Sequence, residues 1–569
     1  MRLFFQQMFF MVILCIILLL LLLYFGLQKP KGYPPGPKWW PILGCALEFS
    51  HLRKKNHYLF KTFSVLSKKY GPIIGMKIGI NHVVVLNEYE SIKSMLSNED
   101  CDGRPFGILY DKRTGGINRG LLLVDGNLWT EQRRFVLKHL RDFGFGRQNM
   151  MSIIIEESQS LVEYIKKLIN DEYNIQINKS KIYYNNNEFN DGQIYKLVKK
   201  NKKDETKLIN NYIINEKELK ASDLYMNANE YIRNNMTQSQ PGTIISMHNI
   251  FGITVLNSLW KMLAGKRYNI DDKELIYFQR ILSIILNEID MLGAPFSHFP
   301  LLRFIAPEIS GYKSFVKIHE ELWKFFKDEV NNHKNTFNSD SPGNLIDIYL
   351  TVLNSENYGK TFSEPQLVAI CVDLFMAGSE TTSKVLGFCF LYLVLFPHVQ
   401  KKAHEEIDRV IGRNKLPTAE DKAKMTYMNA IVLESLRMFV GRSLNLPHRV
   451  QKDTTILGYK IPKNTTIITN FNGILMDESW GDPENFRPER FIDESGNIVT
   501  PSKFLPFSAG KHRCMGENLA KTNIFVIATT LLQAFTFSEI PGEKPTIEHF
   551  IDGTTISPKP YRVIVSLRI

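Results

Sequence analysis

A chain of 569 residues, 44% hydrophobic and 12% aromatic, can bury a large core and does not have a disordered composition. The formal net charge of +12 does not indicate nucleic acid, because much of the excess lies in one Lys/Asn-rich stretch and no basic run interleaves with aromatics; a surface facing anionic lipid or an acidic protein fits better. Six scattered cysteines (Cys15, Cys45, Cys101, Cys371, Cys389 and Cys514) show no CxxC spacing, which argues against a disulfide framework, a zinc ribbon or an iron–sulfur cluster and implies a reduced, cytosol-facing domain.

Between positions 3 and 28 there is no charged side chain, and 9–25 is almost wholly apolar. At about 1.5 Å per residue that run spans roughly 30 Å of hydrocarbon. A cleaved signal peptide would be shorter and end in small residues; this run ends in Tyr24, Phe25 and Gly26. Residues 1–28 are expected to be a retained single-pass transmembrane anchor. Lys29, Lys31 and Lys38 outweigh Arg2, placing the catalytic domain in the cytosol. Residues 29–40 form a basic hinge stiffened by Pro34, Pro35 and Pro37.

No linker divides the remainder, so 41–569 is expected to be one large catalytic domain, mainly α with a minor β part near 72–86. Within it, 171–240 reads as an Asn/Lys-rich surface insertion without periodicity. The segment 296–305 concentrates aromatic and aliphatic residues and fits either a lipid-facing surface or a core junction. Ser363, Pro365 and Gln366 signal a helix start with a capping box. The apolar pattern then runs to Phe396, a helix of about 50 Å that would cross the domain.

Cys514 lies in Phe507-Ser508-Ala509-Gly510-Lys511-His512-Arg513-Cys514-Met515-Gly516, just before a helix-like run from Glu517. A helix N-terminus and the basic His512 and Arg513 favour a thiolate, and Gly510 and Gly516 permit close backbone approach. From these residues alone Cys514 could be a metal ligand, a catalytic nucleophile, or an ordinary buried cysteine in a turn.

This decapeptide resembles the haem-binding loop of the cytochrome P-450 family, eukaryotic microsomal type. It has the aromatic Phe507, Gly510, a basic residue at 512 and Gly516. The resemblance implies the cytochrome P-450 fold, with Cys514 as axial ligand of the iron of haem b (iron protoporphyrin IX) and His512 facing a propionate. His in place of the commoner Arg would make that contact weaker and more pH-dependent. Ala377-Gly378-Ser379-Glu380-Thr381-Thr382 resembles the family's oxygen-activating segment, with Thr381 and Glu380 as the catalytic alcohol and acid. A Thr bonded back to the preceding turn would also open the helix there. Glu434 and Arg437 match the family's structural pair, completed by Arg490 in Phe486-Arg487-Pro488-Glu489-Arg490-Phe491. Trp129 and Arg133 match propionate donors, as does His448 after Pro447, with Arg449 as a neighbouring candidate. By the same analogy, 104–119, 375–381, 443–446 and a hairpin at Gly553 and Thr554 line a substrate pocket.

The implied reaction inserts one oxygen atom from O2 into a lipophilic substrate. NADPH–cytochrome P-450 reductase is the electron donor, with cytochrome b5 as a second, since the chain has no dinucleotide or flavin fingerprint of its own. Lys511, His512, Arg513 and Lys521 would form the docking face, and the anchor would sit in endoplasmic reticulum membrane. Three alternatives remain: a peroxide-rearranging haem-thiolate isomerase or synthase, a non-catalytic haem sensor or carrier, and a membrane-bound cysteine hydrolase using Cys514.

Overall fold

The computed structural model describes residues 8–11, 13–14, 28–146, 148–185, 242–336, 338–356 and 359–568. Helices dominate, with small sheets at the edges. The expected minor β part is a hairpin, β1 (Ile73–Ile78) and β2 (Asn81–Leu86), paired antiparallel from Ile73↔Leu86 to Ile78↔Asn81. Its β-branched residues are buried from Val83 to Leu86. Two further strands, β3 (His448–Arg449) and β4 (Thr466–Thr469), extend it in the order β1-β2-β4-β3. A chain reversal after the β3 dipeptide thus fixes His448 at a sheet edge.

Five helices position the site: α1 (Gly126–Asp142), α2 (Gln148–Asn185), α3 (Glu364–Leu395), α4 (Thr426–Val440) and α5 (Glu517–Ala534). Helix α3 runs through the interior, and nearly all of its side chains after Leu367 are buried. Its length, about 48 Å at 1.5 Å per residue, matches the sequence expectation. Ser363 caps it by accepting from Gln366 N at 3.3 Å. The reciprocal half of the capping box is not made, because the Gln366 amide is committed elsewhere. It accepts from Gly120 N and donates to Gly120 O, both at 3.0 Å. Two turns further on, the buried Asp373 accepts from Leu121 N (2.6 Å) and Leu122 N (2.9 Å) and pairs with Arg113. Gln366 and Asp373 thereby fasten the 104–125 loop to α3. Gly120 is required there: its φ is +94°, and a Cβ would collide with the Asp373 carboxylate.

Helix α2 continues to Asn185, so the expected insertion at 171–240 begins as helix, and 186–241 lie outside the described residues. So does most of the expected anchor at 1–28. Among the described residues, no single helix is long and apolar enough to cross a membrane. In 296–305, Phe296 is buried whereas Leu301, Phe304 and Ile305 are exposed; the segment is half core junction and half surface.

Candidate active site

The Thr381 hydroxyl donates to Ala377 O at 2.7 Å, and Ser379 does the same to Phe375 O. Each replaces a helical amide donor, and Met376–Glu380 winds as a π-helix inside α3. A π-bulge widens the helix and exposes backbone at a functional position. Ala377, Gly378 and Thr381 consequently line a cavity in the centre of the molecule. Phe507, His512, Cys514 and Gly516 line the same cavity.

The loop carrying Cys514 is held by Cys514 N donating to Phe507 O (3.0 Å) and Arg513 N to Gly510 O (3.2 Å). Gly510 has φ +70°, and a Cβ there would strike the Leu96 carbonyl. The close approach it permits is to the end of the Tyr89–Leu96 helix. Gly516 precedes α5 and aims its N–H at the sulfur. Cys514 is open to the cavity but enclosed elsewhere by protein. Burial pushes its thiol above the usual range, more than the Gly516 N–H, Arg133 and Arg513 pull it down. The helix end and basic neighbours thus do not suffice to make a thiolate; a coordinated cation would.

Trp129 and Arg133 lie one turn apart on α1, with the guanidinium 5.3 Å from the indole centre. Arg133 donates to Arg513 O at 2.5 Å, tying α1 to the cysteine loop. Trp129 packs against His512 at 4.2 Å with the rings tilted by 42°, and His512 meets His448 edge-on at 5.5 Å. All four line or border one wall. His448 Nδ1 sits 2.9 Å from Cys101 O and His512 Nε2 sits 2.8 Å from Asp102 O. A carbonyl only accepts, so each imidazole commits a proton to the backbone. Burial and Arg104 hold both rings neutral, His512 down to about 3 and His448 well below the ordinary histidine value. In this structure neither ring titrates near neutrality.

The charge on this wall comes instead from Arg104, which sequence motifs did not single out as a cofactor ligand. Arg104 is buried, and its Nη1 donates to Pro447 O at 2.9 Å. Its Nε is buried with no partner, and burial beside Arg133 pulls it down to about 10. A buried cation with an unused donor is costly unless an anion meets it. Two arginines, a cysteine and a groove-forming helix lining one cavity fit the carboxylates and iron of a haem. The signal available in sequence was the Gly103-Arg104-Pro105 turn, where Pro ends the local helix options. Arg449, the alternative candidate, is diverted: it pairs with Asp125 at 2.8 Å and donates to Arg104 O. Replacing Arg104 by leucine is expected to weaken haem retention by about 1.5–3 kcal/mol, roughly ten- to hundredfold. Haem-to-protein absorbance ratio during competition with apomyoglobin measures it; unchanged retention would remove Arg104 from the site.

Glu380 does not line the cavity; its carboxylate meets Lys384 at 3.1 Å. Glu434, Arg437 and Arg490 are brought together behind the cysteine loop. Glu434 receives Arg437 through two bonds (2.7 and 2.8 Å), Arg490 Nε at 3.0 Å and Arg487 N at 3.0 Å. On the outer face of the cysteine loop, Arg513 and Lys521 both pair with Glu517 (2.9 and 2.8 Å), and Lys511 lies 3.5 Å from Asp102. His512 turns inward, so the expected basic face is smaller and partly neutralised.

The family described as Cytochrome P450 matches residues 34–187 and 177–565. The break falls where the Asn/Lys-rich stretch begins. Similar proteins include the probable cytochrome P450 303a1 of Drosophila melanogaster, 38% identical over 95% of this chain and 96% of that protein. The farnesoate epoxidase of Bombyx mori is 31% identical over 94% of each. Cytochrome P450 2J2 of Homo sapiens is 30% identical over 94% of this chain and 91% of its own.

Proposed function

Because the chain belongs to the cytochrome P450 family, and is thus a haem-dependent monooxygenase, we propose how this molecule carries out the reaction and on what. The haem, when bound, supplies oxygen activation and the transfer of one oxygen atom to substrate. Cys514 would hold its iron, and Arg104, Arg133 and Trp129 would meet its propionates. Thr381 spends its proton on Ala377 O in the resting fold, leaving its lone pairs toward the cavity. Glu380 supplies protons to that hydroxyl, which hands them into the groove. Gly378 keeps the groove open: a Cβ would meet Leu259 Cδ2 at 2.5 Å. The observation that carries this reading is the π-bulge at Met376–Glu380, facing Cys514 across one cavity.

The substrate is a lipophilic molecule. Leu121, Leu122, Leu259, Met291, Leu374 and Phe439 line its share of the cavity, and Asp373 there is fully engaged by Arg113 and two backbone N–H groups. One relative is named for epoxidising a farnesoate, and a lipophilic substrate of that kind suits this lining. Residues 1–28 anchor the protein in endoplasmic reticulum membrane, 29–40 form the hinge, and 41–569 form the cytosolic catalytic domain. The exposed Leu301, Phe304, Ile305 and Ile309 lie on the lipid side. Ile80 N donates to His298 O at 3.2 Å and Gly79 N to Leu43 O, so the exposed Ile42 and Ile80 border the same patch. Electrons come from an NADPH–cytochrome P-450 reductase docking on Lys511, Arg513 and Lys521, with cytochrome b5 as a second donor.

Thr381→Ala tests the reading. It is expected to keep the carbon monoxide band of the reduced protein but to release several-fold more hydrogen peroxide per NADPH in the presence of reductase. A peroxide-rearranging enzyme would be indifferent to the change, and an unaltered peroxide yield would exclude the proposed proton path.

A further inference from the structure

Lys384 is buried, 5% exposed, one turn beyond Glu380 on α3. Its Nζ lies 3.1 Å from Glu380 Oε2 and donates to Thr555 Oγ1, also at 3.1 Å. Glu380 is itself only 8% exposed. Thr555 lines the substrate cavity beside Thr554. One ammonium therefore joins the acid of the oxygen-activating pair to the wall that a substrate touches.

The hairpin carrying Thr555 is docked on two sides. Tyr561 donates to Gly387 O at 2.6 Å, and a Cβ on Gly387 would meet Pro558 at 3.2 Å. Thr554 N donates to Leu286 O at 2.6 Å and its hydroxyl to Ile289 O at 2.5 Å. Between these anchorages the hairpin meets α3 through Lys384. A buried ion pair is seldom the most stable choice, since apolar residues of similar volume serve a core as well or better. The spacing of Glu380 and Lys384 puts both on one face of the helix. Its second partner is a cavity hydroxyl in place of a second carboxylate, so the lysine is shared between the acid on its own helix and the wall of the cavity.

We propose that Lys384 is a positioning residue that couples occupancy of the substrate pocket to the proton-delivering acid. This rests on the reading of Glu380 and Thr381 given above. With the hairpin seated, Lys384 holds the Glu380 carboxylate away from the cavity. A substrate that shifts Thr555 draws the ammonium with it and away from the carboxylate, and the Glu380 side chain is freed to turn toward Thr381. Only hydrogen bonds break and re-form; the proton that moves comes from solvent through Glu380, and Lys384 gives up none.

The test uses the full-length, haem-loaded protein in phosphatidylcholine vesicles with an NADPH-dependent flavoprotein reductase. Lys384→Met, Lys384→Arg, Thr555→Val and Thr381→Ala are compared by carbon monoxide band, peroxide released per NADPH, and deuterium uptake of the hairpin peptide 550–558. Lys384→Met is expected to keep the band, release several-fold more peroxide and raise uptake at 550–558, with Lys384→Arg restoring both. Thr555→Val, which leaves the ion pair in place, is expected to move both readouts in the same direction. Increased uptake without increased peroxide, or a loss that arginine does not restore, reduces Lys384 to a structural residue and overturns the proposal. If Lys384→Met does not retain haem, Thr555→Val decides alone. Peroxide leaking from Thr381→Ala but from neither Lys384→Met nor Thr555→Val defeats the coupling while leaving the proton path standing; silence in all three defeats both.

Discussion

Cys514→Ser abolishes the strongly red-shifted Soret band expected of the reduced protein under carbon monoxide. A serine hydroxyl cannot supply the soft, electron-donating ligand that produces it. None of the other described cysteines can substitute. Cys45, Cys101, Cys371 and Cys389 are buried away from the cavity, and burial pushes their thiols up, to about 11 for Cys45 and about 12 for Cys101 and Cys389. Cys514 is raised as well, so its thiolate depends on the metal as much as the metal depends on it. Loss of the iron–sulfur bond is therefore expected to lower haem occupancy as well as to change the spectrum. Replacing each of the four buried cysteines by alanine should leave the band in place. A band that survives in haem-replete Cys514→Ser would refute the assignment outright.

Arg437→Leu has the second large effect, on stability and cofactor loading in place of spectrum. Arg437 and Glu434 are fully buried. Besides the carboxylate, Arg437 serves Leu475 O and Pro483 O, both at 2.8 Å, and its guanidinium lies 5.3 Å from the Trp480 ring centre. Arg490 reaches Trp480 O at 2.5 Å and Asp482 O at 3.1 Å. Removing Arg437 leaves one oxygen of a buried carboxylate and two carbonyls without that donor, while Arg490 and Arg487 N still serve the other oxygen, at a cost of about 3–5 kcal/mol. Against a total stability of roughly 5–15 kcal/mol this leaves much of the protein unfolded or without haem. The urea midpoint and the haem-to-protein ratio measure it. Arg409→Ala is the internal control: Arg409 is 70% exposed and 3.8 Å from Glu406, so its loss costs about 0–1 kcal/mol. Equal shifts in the two variants would remove the special status of the buried network.

These two pairs share a sequence spacing, and the difference between them shows what sequence can and cannot reveal. Glu434 and Glu406 both stand three residues before an arginine. Only folding turns Glu406 toward the start of α4, where it accepts from Tyr427 N at 2.9 Å and Met428 N at 2.8 Å. Local devices were legible because they are fixed by chain geometry: the Ser363 cap, the threonine hydroxyl bonded back to the preceding turn, and the alternation of the β hairpin. The Cys514 loop was legible through its dense pattern of residue types. Arg104 was not, since its role depends on an unpartnered nitrogen created where three distant segments meet. The protonation of His448 and His512 was hidden for the same reason: Cys101 and Asp102, far from both in sequence, supply the carbonyls that claim their protons. Lys384 stood in plain view at helical spacing from Glu380, yet only its burial and its bond to Thr555 distinguish it from a solvent-facing ion pair.

The fastening of the 104–125 loop to α3 bears on transplantation. Loops that line a substrate cavity are the natural cassettes to exchange between relatives when a new substrate is wanted. Here the cassette would leave behind Gln366 and Asp373, which serve the backbone N–H groups of Gly120, Leu121 and Leu122 and the guanidinium of Arg113. A grafted loop lacking glycine at 120 would meet the Asp373 carboxylate directly. Successful grafts should therefore carry the loop and these two positions of α3 as one heritable unit.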